Sequence, residues 1–425
     1  MDTIQKLQSF LNQSHSTYHA VALLKAELED AGYTCLSEGD SWSLKAGGKY
    51  YLIRNGSAIL AFRVPEAPKG FLITASHADR PCFKVKENAV QEGAYTRLLV
   101  EKYGGALIAP WLDRPLSVAG RVLVETEKGV ESRLVDVDRD LLLMPNVAIH
   151  MNRAANDGYK WNPATDTIPL LADKTATQKF WDEIETLAGG KILGHDLYLY
   201  VRQASAVWGL DNEFISAQAL DDLECVWSCL QGFLQGKHTA KIPVFCVFDS
   251  EEVGSSSYQG AASDLLERTI TRICDALKLD KNCQLANSFC VSADNAHALH
   301  PNHPEYADSA NAPVMNGGVV IKFNANQRYT TDGLSCAIFR KICEKAGVPV
   351  QTYCNRADLP GGSTLGNISL SQVAVPSVDI GLPQLAMHSC YETAGVKDVA
   401  YLVEAMTAYY GADMEIAPEG SVSLK

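Results

Sequence analysis

The chain has 425 residues, 47% of them hydrophobic and 20% charged, which excludes a disordered chain and leaves ample apolar surface for two or three domains. A formal net charge of −13 repels phosphate backbones and anionic lipid, so no nucleic acid and no membrane partner is expected. No apolar run approaches the roughly 18–20 residues needed to cross a bilayer.

The start, Met-Asp-Thr-Ile-Gln, lacks the basic and apolar stretches of a secretion signal. Twelve cysteines form no Cys-x-x-Cys pair, and several sit in apolar runs such as Val-Phe-Cys-Val-Phe around Cys246. They read as buried, reduced thiols, and a cytoplasmic location is expected.

In chain order, Ile4, Leu7 and Leu11 share one face at helical spacing. Ser16 or Thr17 is placed to cap a second helix carrying Val21, Leu24 and Leu28, which Gly32 ends. Short strands follow at 50–54, 58–64 and 70–75. From about 91 to 212 the character changes. Gly104, Gly105, Pro110, Pro115 and Gly120 punctuate short β-like runs such as 121–125, and 197–201 is a later one. The stretch 152–172 between them is polar and loop-like. This reads as a β-rich insert.

Beyond about 213 helices alternate with apolar strands. The helices are expected at 222–234, 257–277, 334–346 and 396–410, the strands at 242–248, 289–293, 319–323 and 348–353. The run 242–248 is nearly all apolar, as a strand covered on both faces must be. The fold class expected is α/β, a central mostly parallel mixed sheet flanked by helices, with the β-rich insert.

Dinucleotide-binding, P-loop, nucleophile-elbow and His-Glu-x-x-His signatures are absent. Histidines and carboxylates collect instead at predicted strand ends. Ser76-His77-Ala78-Asp79 follows an apolar strand, and residues two apart in extended chain point the same way. One can ligate a metal while the other accepts its second N–H. Asp221 and Asp222 fall at a loop-to-helix junction, where an aspartate is also a common cap. Asp249, Glu251 and Glu252 crowd together after the buried strand; like charges so close call for a cation or for open solvent. Asp294 follows the next strand. His297, His300 and His303 come next at three-residue spacing, but Pro301 interrupts any helix that would align them. A lone His388 lies in Met-His-Ser-Cys-Tyr-Glu. Together, two imidazoles and several carboxylates suit a divalent ion such as zinc, manganese or cobalt.

These segments, in this order, resemble the aspartyl aminopeptidase family of dinuclear-metal aminopeptidases. The matching stretches are Ser-His-Ala-Asp (76–79), Ala-Leu-Asp-Asp (219–222), Asp-Ser-Glu-Glu-Val-Gly-Ser (249–255), Ser-Ala-Asp-Asn-Ala-His-Ala-Leu-His-Pro-Asn (292–302), Gln-Arg-Tyr (327–329), Gly-Gly-Ser-Thr-Leu-Gly (361–366) and Pro-Gln-Leu-Ala-Met-His-Ser (383–389). The resemblance implies a zinc-aminopeptidase-like catalytic domain built from 1–90 and 213–425, with 91–212 as a dimerisation and lid domain. It implies two divalent ions per subunit, zinc first with manganese or cobalt as alternatives. His77 and Asp294 would ligate one ion, Glu252 and His388 the other, and Asp221 would bridge. Glu251 would be the general base, a role that residue chemistry alone leaves open between Glu251 and Glu252. Asp79 would orient His77, and Tyr329 would stabilise the oxyanion.

For substrate, Lys322 resembles the family residue that faces an acidic N-terminal side chain, and His150 one that a neighbouring subunit offers to the site. The implied partners are peptides with a free N-terminus and further copies of the chain, dimers assembling to a dodecamer. The implied reaction is removal of N-terminal residues, preferentially Asp or Glu, by attack of an activated water. Asp222 stands where the family usually has Asn, which resembles a related glutamyl aminopeptidase type and points to Glu over Asp or to a broader preference. His303 and the 355–362 stretch depart from the pattern too. The rival readings are an aminopeptidase for neutral or hydrophobic residues, a carboxypeptidase or deacetylase with a similar centre, and a non-catalytic scaffold or cargo protein retaining the fold.

Overall fold

Local caps set the first two helices. In Thr3–Leu11, Asp2 and Gln5 cap each other reciprocally, and Leu7 and Leu11 turn inward. In Thr17–Asp30 it is Ser16 whose hydroxyl accepts the His19 N–H, and Val21, Leu24 and Leu28 are buried. The computed structural model describes residues 2–359, 361, 362 and 364–424. Ser363, within the Gly-Gly-Ser-Thr stretch, lies outside the described residues.

The largest sheet has nine strands. Their spatial order is Thr34–Cys35, Lys49–Arg54, Ala58–Arg63, Ile242–Phe248, Phe71–His77, Phe289–Ala293, Ser377–Gly381, Val319–Phe323 and Val350–Cys354. Five of its eight pairings are parallel, so the sheet is mixed with a parallel centre. Side chains alternate between the faces: Phe71, Ile73 and Ala75 join one core, Leu72 the other. One face is covered by the first two helices with Leu220–Gln235, Gly333–Ala346 and Val396–Tyr410. Leu265–Leu277 and Leu365–Gln372 cover the opposite face. The expected helix at 257–277 therefore starts late, because Ser257, Gly260 and Ser263 favour turns over helix.

A second, six-stranded sheet is built from Cys82–Gln91, Thr96–Tyr103, Leu116–Thr126, Gly129–Asp136, Leu170–Ala172 and Ile192–Val201. Cys82–Gln91, which lies almost wholly before the expected boundary at 90, belongs to this sheet. Its alternation of apolar and charged residues is the same on either side of a domain boundary. The helix Thr177–Ala188, unforeseen in the sequence, covers this sheet with Phe180 and Ile184. A five-stranded sheet joins Ala206–Trp208, Phe214–Ala217, Glu392–Gly395, Pro383–Leu385 and Ala296–His297. All twelve cysteines are free, and nine are buried. Among the described residues no helix is long and apolar enough to cross a membrane.

Candidate metal centre

Three parallel neighbours of the large sheet, Phe71–His77, Ile242–Phe248 and Phe289–Ala293, end at the same edge. That edge of an open α/β sheet is where loops diverge and leave a crevice. The first strand ends on His77. The second runs into Glu251 and Glu252, the third into Asp294. Asp221 enters at the kinked start of Leu220–Gln235, across a cis bond to Asp222, and His388 from the turn after Pro383–Leu385. Residues far apart in the chain thus line one cavity of about 290 Å³, which also takes in Lys322 and Tyr329.

Asp221 is the hub. It is 3% exposed, and its two oxygens face opposite imidazoles: Oδ1 is 3.5 Å from His77 Nε2, Oδ2 is 3.6 Å from His388 Nε2. His388 Nε2 also lies 3.5 Å from Glu252 Oε2. His77, Asp221 and Glu252 form one group whose donor atoms converge closely enough for a metal ion, and Asp221, Asp222 and Asp294 form another. Asp221 is common to both, as a carboxylate shared between two ions would be.

Asp79 sits behind the cavity. His77 Nδ1 lies 3.2 Å from its carbonyl oxygen, an atom that only accepts, so Nδ1 carries a hydrogen and Nε2 is the nitrogen turned toward Asp221. The Asp79 carboxylate accepts the backbone N–H of Glu251 at 3.1 Å and of Glu252 at 3.2 Å, and the Tyr103 hydroxyl at 2.7 Å. Asp79 therefore holds the Glu251–Glu252 turn with its carboxylate and meets His77 with its carbonyl; the first contact the sequence did not suggest.

Burial drives the carboxylates upward. Glu251 is pushed to about 8 by burial and by Asp294, Asp221 and Asp79, against the pull of His77. Asp294 is raised to about 6, with burial outweighing Lys322. Burial and neighbouring acids lift Glu252 and Asp222 well above the carboxylate range. Asp221 is the exception: burial works against it, but His77, His388 and Lys322 hold it low. Asp222 Oδ1 and Glu252 Oε1 are buried without a hydrogen-bond partner. Orphaned buried acid oxygens are costly, and a bound cation relieves such crowding. The residues present fit a divalent metal.

The remaining expected residues divide. Lys322 is 2% exposed; its Nζ donates to the Asp294 carbonyl at 2.6 Å, lies 3.8 Å from Asp294 Oδ2 and is 5.2 Å from the Tyr329 ring centre. His150 is exposed in a turn region and does not line the cavity of its own chain. His300 and His303 line a neighbouring cavity instead. Two features escaped the sequence reading. The Gly104–Gly105 turn after the second-sheet strand Thr96–Tyr103 presses on the site, so that a Cβ at Gly105 would lie 3.1 Å from His388 Nδ1 and one at Gly104 3.0 Å from the Glu252 Cβ. Asp222 is the other. It accepts the His77 N–H at 3.3 Å and belongs to the second donor group, where the resemblance marked it only as a departure from Asn.

Fold and site together define an α/β protein with a buried imidazole–carboxylate cluster of the kind that holds divalent cations. Residues 10–410 match the profile described as "Aminopeptidase I zinc metalloprotease (M18)". A protein of Clostridium acetobutylicum named "Probable M18 family aminopeptidase 2" is 39% identical over 427 aligned positions, covering 96% of this chain and 99% of its own length. Among solved structures, "Cryo-EM structure of the Ape4 and Nbr1 complex" aligns with a TM-score of 0.93 at 33% identity, over 96% of this chain and 85% of that one. "Structure of S. cerevesiae mApe1 dodecamer" aligns with a TM-score of 0.85 at 27% identity, over 96% of each.

The chain belongs to the M18 family of zinc metalloproteases, and it is a metallo-aminopeptidase.

Proposed function

We propose that this chain removes N-terminal residues, acidic ones preferentially, from peptides at a two-ion centre. The observation that carries the reading is Asp221, buried with one oxygen toward each of two imidazoles and common to both donor groups. His77 and Asp294 would hold one ion, Glu252 and His388 the other, with Asp221 between; zinc is the first candidate, manganese or cobalt the alternatives. When bound, such ions polarise a carbonyl and acidify a water.

The protein's own groups do the rest. Glu251 lines the cavity without belonging to either donor group, so it is free to take a proton from the attacking water and return it to the leaving amine. Asp79 fixes the His77 tautomer and the Glu251 backbone. Tyr329, buried at the cavity wall, is the donor proposed for the developing oxyanion. Lys322 supplies the positive charge that favours an acidic first residue, although its ammonium is shared with Asp294. That sharing also supports a second reading, in which Lys322 serves chiefly to hold Asp294 and neutral first residues are accepted. A cavity of about 310 Å³ shares His297, Tyr353 and Gly362 with the site and offers room for the rest of the peptide.

A homo-oligomer is part of the proposal, dimers assembling to a dodecamer as in the Ape1 relative. The 91–212 segment would make the dimer contact and offer His150 to a neighbour's site. In support, His150 is flanked by exposed apolar side chains, Ile149 at 45% and Met151 at 78%.

The test is to strip the metal, add back single ions and assay aminoacyl-anilides. Asp- and Glu-anilide cleavage restored by one ion, above Leu-anilide, is expected; cleavage unaffected by stripping would refute the centre, and a Leu preference would select the second reading.

A further inference from the structure

Two of the loops that meet at Asp221 are held in conformations they do not favour by themselves. Ala219, Ala386 and His388 all have left-handed backbones, with φ of 57°, 56° and 68°. Such a backbone is disfavoured for an L-residue and persists only where surrounding contacts impose it. Hydrogen bonds from both loops converge on Glu392, a residue with no role in the reaction described above.

Glu392 opens the strand Glu392–Gly395, where it pairs with Ala217, and is 1% exposed. Its two oxygens serve two different loops. Oε2 accepts the backbone N–H of Asp221 at 3.0 Å, and Oε1 accepts the backbone N–H of His388 at 2.7 Å. The same carboxyl group thus grips the main chain at both ends of the 3.6 Å approach between His388 Nε2 and Asp221 Oδ2. Behind it the connection continues to a third loop. Gln384 Nε2 lies 3.4 Å from Glu392 Oε1, and Gln384 Oε1 accepts from Asn295 Nδ2 at 2.9 Å. Asn295 directly follows Asp294. Its amide also donates to the Leu220 carbonyl at 3.1 Å, and its Oδ1 accepts the Leu382 N–H at 3.3 Å. Gln384 is as deeply buried as Glu392, so water does not compete for these bonds.

We propose that Glu392 is a positioning residue of the metal centre, clamping the Asp221 and His388 backbones so that the shared carboxylate stays aimed at both imidazoles. The inference rests on the metal reading above but adds a residue outside the ligand set. A glutamine at this position offers one acceptor where two N–H groups need one each, and its own amide would meet the second N–H head on. One loop would then be released. An aspartate keeps both acceptors on a stem too short to reach both loops.

The experiment compares wild type, Glu392→Gln and Glu392→Asp, each stripped and titrated with Zn²⁺ against a chelating dye. Each is also loaded with Co²⁺ for its visible spectrum, and the metal-free forms are melted. Outer-shell partners of this kind are worth about 10–100-fold in metal affinity. Zn²⁺ affinity lower by that factor, an altered Co²⁺ spectrum, and a fall in kcat with little change in KM are expected. Aspartate serves as the probe should glutamine not fold. Wild-type Zn²⁺ affinity and an unchanged Co²⁺ spectrum in a variant whose melting temperature alone falls would overturn the proposal and leave the metal reading intact. A wild-type chain that takes up neither ion would overturn both.

Discussion

In the six-stranded sheet, Asp196 stands between Lys84 at 2.8 Å and Arg121 at 2.7 Å, and beside it Arg139, in the loop after Gly129–Asp136, meets Glu183 of the covering helix at 2.7 Å. At the C-terminal edge of the nine-stranded sheet, Asp222 and Glu252 each leave a buried oxygen without a partner, and acids lie against acids. Both regions are acidic and both are folded; at Asp196 two side-chain cations face one carboxylate, whereas at the sheet edge Lys322 faces several. The second sheet neutralises its charge with its own residues, so its pairs are structural. Carboxylates left unmatched in a buried crevice mark the place where the counter-charge comes from outside, as a metal ion does.

The largest effect that can break this contrast is on Glu251. Glu251→Gln should keep its metal yet lose about 10²–10⁴-fold in kcat, because it removes the proton carrier and no ligand. Single-turnover kinetics on the metal-loaded variant measure this, and wild-type turnover would take Glu251 out of the reaction. Next comes Lys322→Met. If the ammonium selects acidic first residues, the preference for Asp- over Leu-anilide should fall at least tenfold, read as a ratio of kcat/KM. An unchanged ratio would leave Lys322 as a holder of Asp294 only.

The paired region should respond in stability instead. Asp196→Asn removes the anion between Lys84 and Arg121 and is expected to cost about 1–3 kcal/mol in urea unfolding, with kcat per folded site unchanged. Burial raises Asp196, but hydrogen bonds from Lys84 and Arg121 outweigh it and hold the group below the ordinary carboxylate range. Its contribution is therefore present above the unfolded value, near 4, and lost as the pH falls below it. The penalty of Asp196→Asn should shrink in acid.

Asp398 carries the opposite sign. It accepts the Asn316 and Gly318 N–H groups at the start of Val396–Tyr410, and burial pushes it to about 7. The native state then binds the extra proton. Its stabilisation is fully present below about 4 and is lost as the pH rises through 7. Asp398→Asn should remove that slope, so the difference in unfolding midpoint should move in the variant's favour as the pH climbs from 4 to 8. A move in favour of wild type would reverse the assignment.

Most strands and helices of the large α/β layer were legible because their signals are local. The run 242–248 is apolar throughout since both its faces are covered, and the period of 396–410 matches its helix residue for residue. The helix Thr177–Ala188 was missed although Phe180, Ile184 and Ala188 recur at helical spacing, because no side-chain cap announces it and it interrupts a β-rich stretch. The His and acid positions were visible as motifs at strand ends, and family order supplied roles that residue chemistry left open.

What the sequence determined by itself was an acidic α/β chain with imidazoles and carboxylates stationed after apolar strands. Tertiary structure alone decided that Asp221 lies between His77 and His388, that Asp79 also steadies Glu251, that Lys322 turns to Asp294, and that Glu392 ties two ligand loops together. The physical reason is the range of the interactions. Periodicity and capping act within a few residues and leave a trace in the order of the chain, whereas these contacts join residues that only the crossing of strands brings within 4 Å.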